Sequence, residues 1–192
     1  VLNQQREIIY DLRNKALLSE SIKPSIQEFI YDFIDNIFDS LDINDIKNWD
    51  WQSINQNLMS YLLIDVNKSD FENVEGKDQL VSQIYDIAID YYNRKEELIP
   101  SELLRNLEKF VVLRTIDEKW RNHLLAMDQL REGIGLRAFG QKNPLIEYKA
   151  EAYNFFQELM ISLQESIIQR ILHAQMQDSS DEKQTSPLNR NI

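Results

Sequence analysis

The chain has 192 residues, which is enough for one large domain or two small ones. Hydrophobic residues make up 43% and charged residues 28%, a balance that supports a folded core and argues against global disorder. With only four glycines and four prolines an all-β fold is disfavoured, and the absence of cysteine excludes disulfides and cysteine metal sites. The formal net charge of −11 makes the whole chain a poor general binder of nucleic acid.

The first helical pattern opens the chain without a start signal. Residues 1–18, "VLNQQREIIYDLRNKALL", contain good helix formers and no breaker. Four apolar residues share one face, with Leu2 and Gln5 leading into it: Ile8, Ile9, Leu12 and Ala16. Because the pattern is already under way at Val1, we interpret it as the exit end of a longer helix, and the chain as part of a longer protein or a processed product.

Residues 20–100 are interpreted as a small acidic helical subdomain. Residues 1–100 carry nine lysines and arginines against 19 aspartates and glutamates, whereas residues 101–192 carry 12 against 13. Apolar residues recur at steps of three and four over residues 25–38, and similar patterns follow at residues 49–62 and 77–98. Three acidic residues occupy the opposite face of the first of these helices: Asp32, Asp35 and Asp39. The acidic face is expected to be solvated, with contact to a basic partner as the alternative.

The longest periodic pattern runs from Ser101 to Ile134 and predicts a helix on the order of 50 Å long. Its members are Leu103, Leu107, Phe110, Leu113, Ile116, Trp120, Leu124, Met127, Leu130 and Ile134. We expect this helix to end at the glycines Gly133, Gly135 and Gly140, where the backbone can reverse. A second helix follows Pro144, with Tyr148, Ala152, Phe155, Leu159, Leu163 and Ile167 on one face. The short connection predicts an antiparallel helical hairpin.

The tip of this hairpin combines glycine with positive charge. Residues 131–149 carry a net charge of +2, and Phe139 lies between Arg137 and Lys142. An exposed aromatic flanked by cations suits contact with a peptide, a membrane protein or lipid headgroups. The alternative, that Phe139 folds back and staples the turn, stays open on the residues alone. RNA binding by the tip is disfavoured by the surrounding acidity.

No pattern in the chain supports a catalytic, cofactor or metal site. Gly133, Gly135 and Gly140 follow no strand, and their spacing matches neither a dinucleotide-binding loop nor a P-loop. His123 lies beside the apolar seam and is expected to be a partly buried, hydrogen-bonding residue rather than a catalytic one. Since His173 is far away in sequence, a histidine metal site is also poorly supported.

Residues 111–159 carry a resemblance to the C-terminal region of the SecA family, the ATP-driven motors of the Sec preprotein translocase. The matching stretches are "IDEKW", "HLLAMDQLREGIGLR" and "QKNPLIEYK". Upstream, "NQQREIIYDLRNKAL" resembles the part of the family's long scaffold helix that enters the helical wing. The resemblance covers about residues 1–175 and is weakest in the acidic region 25–100.

The resemblance implies an all-α architecture with four parts. Residues 1–20 would be the end of the long scaffold helix, and residues 21–105 the small helical wing domain. Residues 106–175 would be the two-helix finger, a long antiparallel hairpin of the scaffold domain. Residues 176–192 are polar and poor in apolar side chains, and we predict a disordered C-terminal tail there.

The resemblance also implies a function. The family couples ATP hydrolysis to pushing unfolded preproteins through the Sec channel, with ATP and Mg²⁺ held by motor domains that this chain lacks. The implied partners are the SecY/SecE channel, the preprotein, the motor domains of the same chain and the membrane periphery, with a possible homodimer and no nucleic acid. The location would be cytoplasmic and peripheral at the inner membrane, or the plastid stroma and thylakoid membrane. The abundant Ile, Asn, Lys and Asp fit a plastid or an AT-rich bacterial origin.

Two groups of site residues follow from the resemblance and the hairpin pattern. The substrate-contacting finger tip would consist of Arg137, Ala138, Phe139, Gly140, Gln141 and Lys142. The structural seam of the finger would consist of Trp120, Leu124, Met127, Ile134, Pro144, Tyr148 and Phe155. Many relatives carry tyrosine at the Phe139 position, so a role that needs the hydroxyl does not transfer. The family's C-terminal zinc motif has no counterpart, because the tail contains no cysteine.

A rival function is a stand-alone helical adaptor whose acidic wing binds basic partners. In that case the hairpin is only structural, Phe139 is packed, and its replacement lowers stability. The translocase interpretation expects an exposed Phe139 whose replacement by alanine leaves folding intact and impairs transport.

Overall fold

The computed structural model describes residues 1–39, 41–71, 73–137 and 143–174, without the side chains of residues 43 and 135–137. The tail predicted at residues 176–192 lies outside these ranges. Within them the chain forms α-helices and no strand, which confirms the predicted all-α fold. In the same ranges, no helix has both the length and the apolar content needed to cross a bilayer.

Six α-helices make up the described fold. They are α1 (Leu2–Leu18), α2 (Lys23–Phe38), α3 (Trp51–Leu62), α4 (Lys77–Leu98), α5 (Ser101–Arg137) and α6 (Pro144–His173). Two short 3₁₀ helices, Ile43–Asn48 and Lys68–Phe71, lie in the connections before and after α3. The helix limits agree with the periodic patterns because apolar spacing and the breakers between segments are local signals.

A row of aromatic rings in mutual contact packs the irregular connection between α2 and α3 against the core. Centroids of Phe38 and Trp49 lie 5.6 Å apart, and those of Trp51 and Phe71 lie 5.6 Å apart with nearly parallel rings. The indole N–H of Trp51 donates to the carbonyl oxygen of Ile46 over 2.9 Å. Such pairs contribute roughly 0.5–1.5 kcal/mol each beyond their buried area, so they order a segment that has little regular structure.

The acidic face of α2 is used inside the molecule. Lys77, at the start of α4, lies 2.8 Å from a carboxylate oxygen of Asp35 and 3.0 Å from one of Asp39. Asp32 accepts a hydrogen bond from the side-chain amide of Gln164 in α6, over 3.1 Å, and burial raises the pKa of Asp32. Asp35 and Asp39 keep side chains that are 38% and 76% exposed, as expected of a solvated face. Asp32 differs from that expectation, because α6 packs close to it.

The two long helices α5 and α6 pack as a hairpin, and α1 lies along α5. The far half of α6 stays beside α5, where Arg170 donates to Thr115 over 3.0 Å. It also packs against α2 and α3, and Ile167, Ile168 and Ile171 are fully buried there. One apolar cluster joins these helices to α4 and to the middle of α5. The helices predicted as wing and the base of the predicted finger thus share one core, and the exact domain limits stay a prediction.

Of the three glycines at which the first long helix was predicted to end, Gly140 lies outside the described residues. For Gly133 and Gly135 the predicted helix end is wrong. Both glycines lie inside α5, which continues to Arg137. A glycine inside a helix costs about 1 kcal/mol relative to alanine. Burial of Ile134, which is only 7% exposed against the hairpin partner, offsets that cost.

The apolar stripe at the start of α5 also differs from the predicted one. Leu103 and Phe110 are 44% and 58% exposed, whereas Leu104 and Glu108 are completely buried. Steps of three and four define a stripe, but the position of the partner helix decides which stripe is covered. The first turns of α5 pack on α4, and the later turns pack on α6.

Candidate functional site

The predicted finger tip lies at the point where α5 and α6 meet. Arg137 is the last residue of α5, and its side chain lies outside the described residues, as do residues 138–142 as a whole. Their predicted substrate contact therefore stays a prediction. On the return side, the side chain of Asn143 caps α6 by accepting a hydrogen bond from the backbone N–H of Leu145 over 3.0 Å. Pro144 occupies the first position of α6, where its lack of an N–H is tolerated.

The predicted seam residues fall into two apolar clusters and one exposed position. Trp120 and Leu124 belong to the main core. A second cluster closer to the tip consists of Met127, Leu130, Ile134 and Ala152, with Tyr148, Phe155 and Leu2 half-buried against it. Pro144 is exposed and belongs to neither cluster. The hairpin is therefore packed along its length up to Ile134, within one turn of the last residue of α5.

A buried polar contact joins three helices where the two clusters meet. The Nε2 atom of His123 in α5 lies 2.9 Å from the Oε1 atom of Gln5 in α1. The amide nitrogen of Gln5 donates to the backbone carbonyl oxygen of Ala152 in α6 over 3.0 Å. Both side chains are 5% exposed. Trp120 stacks on the imidazole at 5.4 Å and Phe156 meets its edge at 5.9 Å.

Burial favours the neutral form of His123, because it lowers the pKa of the imidazole below its ordinary value. The Gln5 side-chain oxygen can only accept, so Nε2–H of His123 is the donor. The prediction of a partly buried, hydrogen-bonding His123 is confirmed. Gln5 was visible in the sequence as a polar residue leading into an apolar face. Its partners are 118 and 147 positions away, and local spacing cannot show them.

A second buried polar cluster ties the wing helices to the start of α5. Arg105 lies 2.7 Å from a carboxylate oxygen of Glu96 and 3.0 Å from one of Glu108. The Tyr92 hydroxyl donates to Glu108, and Lys23 pairs with Glu96. Burial raises the pKa of Glu108, and burial together with the bond to Glu108 raises the pKa of Tyr92. The sequence analysis missed this cluster, because its charged residues look like ordinary helix-surface charges.

The surface of α6 next to the tip carries exposed apolar side chains and one exposed lysine. Leu145 and Ile146 are 58% and 63% exposed in its first turn, and Tyr153 is 62% exposed about two turns further on. Lys149 is exposed between them. These side chains present apolar area and positive charge without a fixed set of hydrogen-bonding groups, a surface suited to partners of varied sequence.

A groove of about 810 Å³ runs between α1 and α5. Tyr10, Trp120 and Leu124 are among the residues that line it. Ile8 and Leu17, on α1, are 48% and 47% exposed. Helix α1 thus carries apolar side chains on more than the face that packs on α5, as expected of a helix with further packing partners.

Comparison with known proteins places this architecture in a family. A family model described as "SecA Wing and Scaffold domain" matches residues 1–175. The chain is 42% identical over 165 residues to the protein translocase subunit SecA of Chlorobium phaeovibrioides, covering 85% of this chain and 16% of that protein. It is 43% identical over 162 residues to protein translocase subunit SecA 1 of Chlorobium chlorochromatii, covering 83% and 15%.

A third relative extends the match slightly. The protein translocase subunit SecA of Heliobacterium modesticaldum is 38% identical over 170 residues, covering 88% of this chain and 20% of that protein. The chain therefore spans between 15% and 20% of the length of these relatives. The identity over most of the chain and the match of the family model agree, and the chain belongs to the SecA wing and scaffold domain family.

Proposed function

We propose that this chain is the wing and scaffold part of a translocase that moves unfolded preproteins through a Sec channel. ATP hydrolysis would be carried out by motor domains outside the chain, and ATP and Mg²⁺ would bind there. The observation that carries the proposal is the buried contact between Gln5 and His123, which joins the hairpin to α1. The same hairpin presents exposed apolar side chains beside its tip. Such a hairpin can transmit movement of α1 to a substrate at the tip.

The stiffness of the hairpin supports this role. Helix α5 has 37 residues and α6 has 30, and apolar contacts join them up to Ile134. A helix of this length spans roughly 55 Å at ~1.5 Å per residue. Alone it would bend or fray, but the second helix and α1 support it on two sides. A displacement of the hairpin at α1 would therefore move the tip as well, because the hairpin bends little.

The chemistry of the tip region supports contact with unfolded chains. Phe139 is the central residue of the proposed contact, followed by Leu145, Ile146 and Lys149 on the first turns of α6. Apolar and cationic side chains can hold a passing polypeptide without specific hydrogen bonds. Contact of this kind accepts many substrate sequences, which a general transport machine requires.

The remaining partners are proposed from the same family membership and from the exposed faces of the chain. The apolar side chains that line the groove between α1 and α5, and those elsewhere on α1, would contact the motor domains. The tip would reach SecY and SecE at the channel mouth, which brings the protein to the membrane periphery. The location would be the bacterial cytoplasm and inner membrane, or the plastid stroma and thylakoid. A homodimer of the full-length protein is part of this proposal.

A photo-crosslinking experiment tests the proposal. A photoreactive residue at position 139 of the full-length protein is irradiated during ATP-driven transport of a stalled preprotein. The matched control places the same residue at Met59, an apolar wing position that is 41% exposed. We expect an ATP-dependent adduct with the preprotein from position 139 and none from position 59. Adducts confined to the hairpin would show that Phe139 is a turn staple and would support the structural role of the adaptor hypothesis.

A further inference from the structure

A cavity of about 500 Å³ opens where α4 and α6 both end. Four apolar residues form much of its wall: Leu63, Leu98, Ile99 and Leu172. Arg94 and Lys95 add two cationic side chains. Leu98 is 83% exposed, which leaves a large apolar side chain beside an open apolar space. A volume of this size is within the range of roughly 300–1,000 Å³ that is typical of ligand sites.

Lys95 anchors the chain at the point where it leaves α6. Its ammonium group donates to the backbone carbonyl oxygen of Leu172 over 2.9 Å and to that of Ala174. An ammonium group has three donors, and these two bonds account for two of them. The backbone of Ala174 is extended, with φ −60° and ψ 127°. The chain therefore leaves the helix in an extended conformation at a residue that itself lines the cavity.

We propose that residues 175–182, "QMQDSSDE", dock in this cavity, with the Met176 side chain in its apolar part. Met176 is two residues beyond Ala174, and an extended chain covers about 7 Å over that distance. A flexible methionine side chain fits an irregular apolar cavity. The acidic residues Asp178 and Asp181 then lie close to the remaining donor of Lys95. This inference does not depend on the proposed function.

Two observations favour this segment over a separate molecule as the occupant. The segment is covalently joined to the cavity wall, so its effective concentration there is high and modest contacts suffice to hold it. Its charge is opposite to that of Arg94 and Lys95. Arg94 also lines a smaller adjoining cavity with Asp65 and Asp90. Because Asp65 and Asp90 already lie near Arg94, the acidic side chains of the segment are expected to lie beside Lys95.

Paired cysteines test the docking, because the chain has no cysteine of its own. The test chain carries Met176→Cys with Leu98→Cys, and the control carries Met176→Cys with Ser60→Cys. Ser60 lies beside α6, where its carbonyl oxygen accepts a hydrogen bond from Gln169 over 3.1 Å, but it does not line the cavity. An undocked segment would reach both positions. We expect intramolecular disulfide formation to be at least ~10-fold faster for the Leu98 pair, and equal rates would overturn the proposal.

Hydrogen exchange on the full chain gives a second, independent readout. Met176→Ser and the combined Asp178→Asn and Asp181→Asn variants should each speed amide exchange at the end of α4, where Lys95 and Leu98 lie. Unchanged exchange in both variants would contradict docking. Disulfides between chains rather than within one would show that a second copy reaches the cavity, and this outcome would also overturn the proposal.

Discussion

The side chain of Gln5 lies 2.9 Å from the imidazole of His123, and this contact joins the start of α1 to the middle of α5. Gln5 also donates to the carbonyl oxygen of Ala152, so a single buried amide connects three helices. Polar groups in an apolar interface specify one alignment of the helices, since sliding by one turn would leave them unpaired. The position of the hairpin along α1 is therefore set by a specific contact as well as by apolar packing.

Replacement of either partner should destabilise the fold. Gln5→Leu or His123→Leu leaves the other polar group buried without its bond, and each should lower the free energy of unfolding by about 1–3 kcal/mol. The double variant should lose less than the sum of the two, which urea denaturation of all four chains would measure.

The matched control for this pair is an exposed contact between the same two helices. Arg13 lies 3.2 Å from a carboxylate oxygen of Asp117, with both side chains more than a third exposed. Arg13→Ala should cost about 0–1 kcal/mol. If Gln5→Leu and His123→Leu cost no more than Arg13→Ala, the buried contact contributes little to the alignment of α1.

Stability should depend on pH through His123. Burial lowers the pKa of this histidine in the folded chain below the ordinary value of 6.5. Below that value the unfolded chain binds a proton that the folded chain does not, so the free energy of unfolding falls as the pH falls from about 6.5 toward the folded pKa. The measurement compares the unmodified chain with His123→Gln across this range.

Both chains in that comparison share every carboxylate, so their difference isolates the histidine. The stability advantage of the unmodified chain should shrink as the pH falls. A difference that is constant with pH, or that grows on acidification, would mean that His123 is not held neutral by its surroundings.

Gly133 should be replaceable by alanine with a gain in stability. It lies inside α5, and an added Cβ would meet no atom within 4 Å. Alanine reduces the conformational entropy of the unfolded chain, so Gly133→Ala should raise the free energy of unfolding by about 0.5–1 kcal/mol. Gly76→Ala is the control: its Cβ is equally free of contacts, but Gly76 caps α4, a position where alanine is unfavourable. Destabilisation by Gly133→Ala would indicate that the helix does not continue through this residue in solution.

Two arginines of α5 should differ sharply in their contribution to stability. Arg105 and Arg131 each pair with an acidic residue three positions away, Glu108 and Asp128. The Arg105 side chain is 13% exposed and its partner is fully buried, whereas the Arg131 side chain is 71% exposed. Arg105→Met leaves a buried carboxyl group without its cation and should cost roughly 3–5 kcal/mol. Arg131→Met should cost no more than about 1 kcal/mol, and thermal unfolding of both variants would show whether burial makes this difference.

The apolar surface beside the tip should matter for transport and not for folding. Ile146 is 63% exposed, so Ile146→Ser should change the free energy of unfolding by less than about 0.5 kcal/mol. In the full-length protein the same change should lower the rate of preprotein transport. Ile161→Ser is the matched control, because Ile161 is 46% exposed on the same helix but lies roughly 20 Å further from the tip. Equal transport by the two variants would argue against a substrate-contacting role for the first turn of α6.

The helices themselves were largely predictable from spacing and breakers. The pattern at residues 77–98 corresponds to α4, and the restart after Pro100 corresponds to α5. Gly133 and Gly135 were predicted to lie at the helix end, because glycine at a helix end and glycine within a helix look alike when the packing partner is unknown. Burial of Ile134 in the hairpin stabilises the helix across both glycines.

The candidate site was only partly predictable. His123 was expected to be partly buried and hydrogen-bonded, whereas Gln5 was placed only as a residue that leads into the apolar face of the first helix. The Arg105 and Glu108 cluster gave no such signal, since charges three residues apart are common on helix surfaces. Its importance comes from the burial that α4 imposes.

The sequence by itself determined the all-α class, the order of the helices and the hairpin, because helical hydrogen bonds and apolar periodicity are local properties of the chain. Tertiary structure alone decided which stripe of α5 is covered, which charges are buried, and that α6 completes the core of the wing helices. Those features depend on partners up to 147 positions away, such as Ala152 for Gln5. Burial, and with it the pKa of His123 and Glu108, follows from the arrangement of such distant segments.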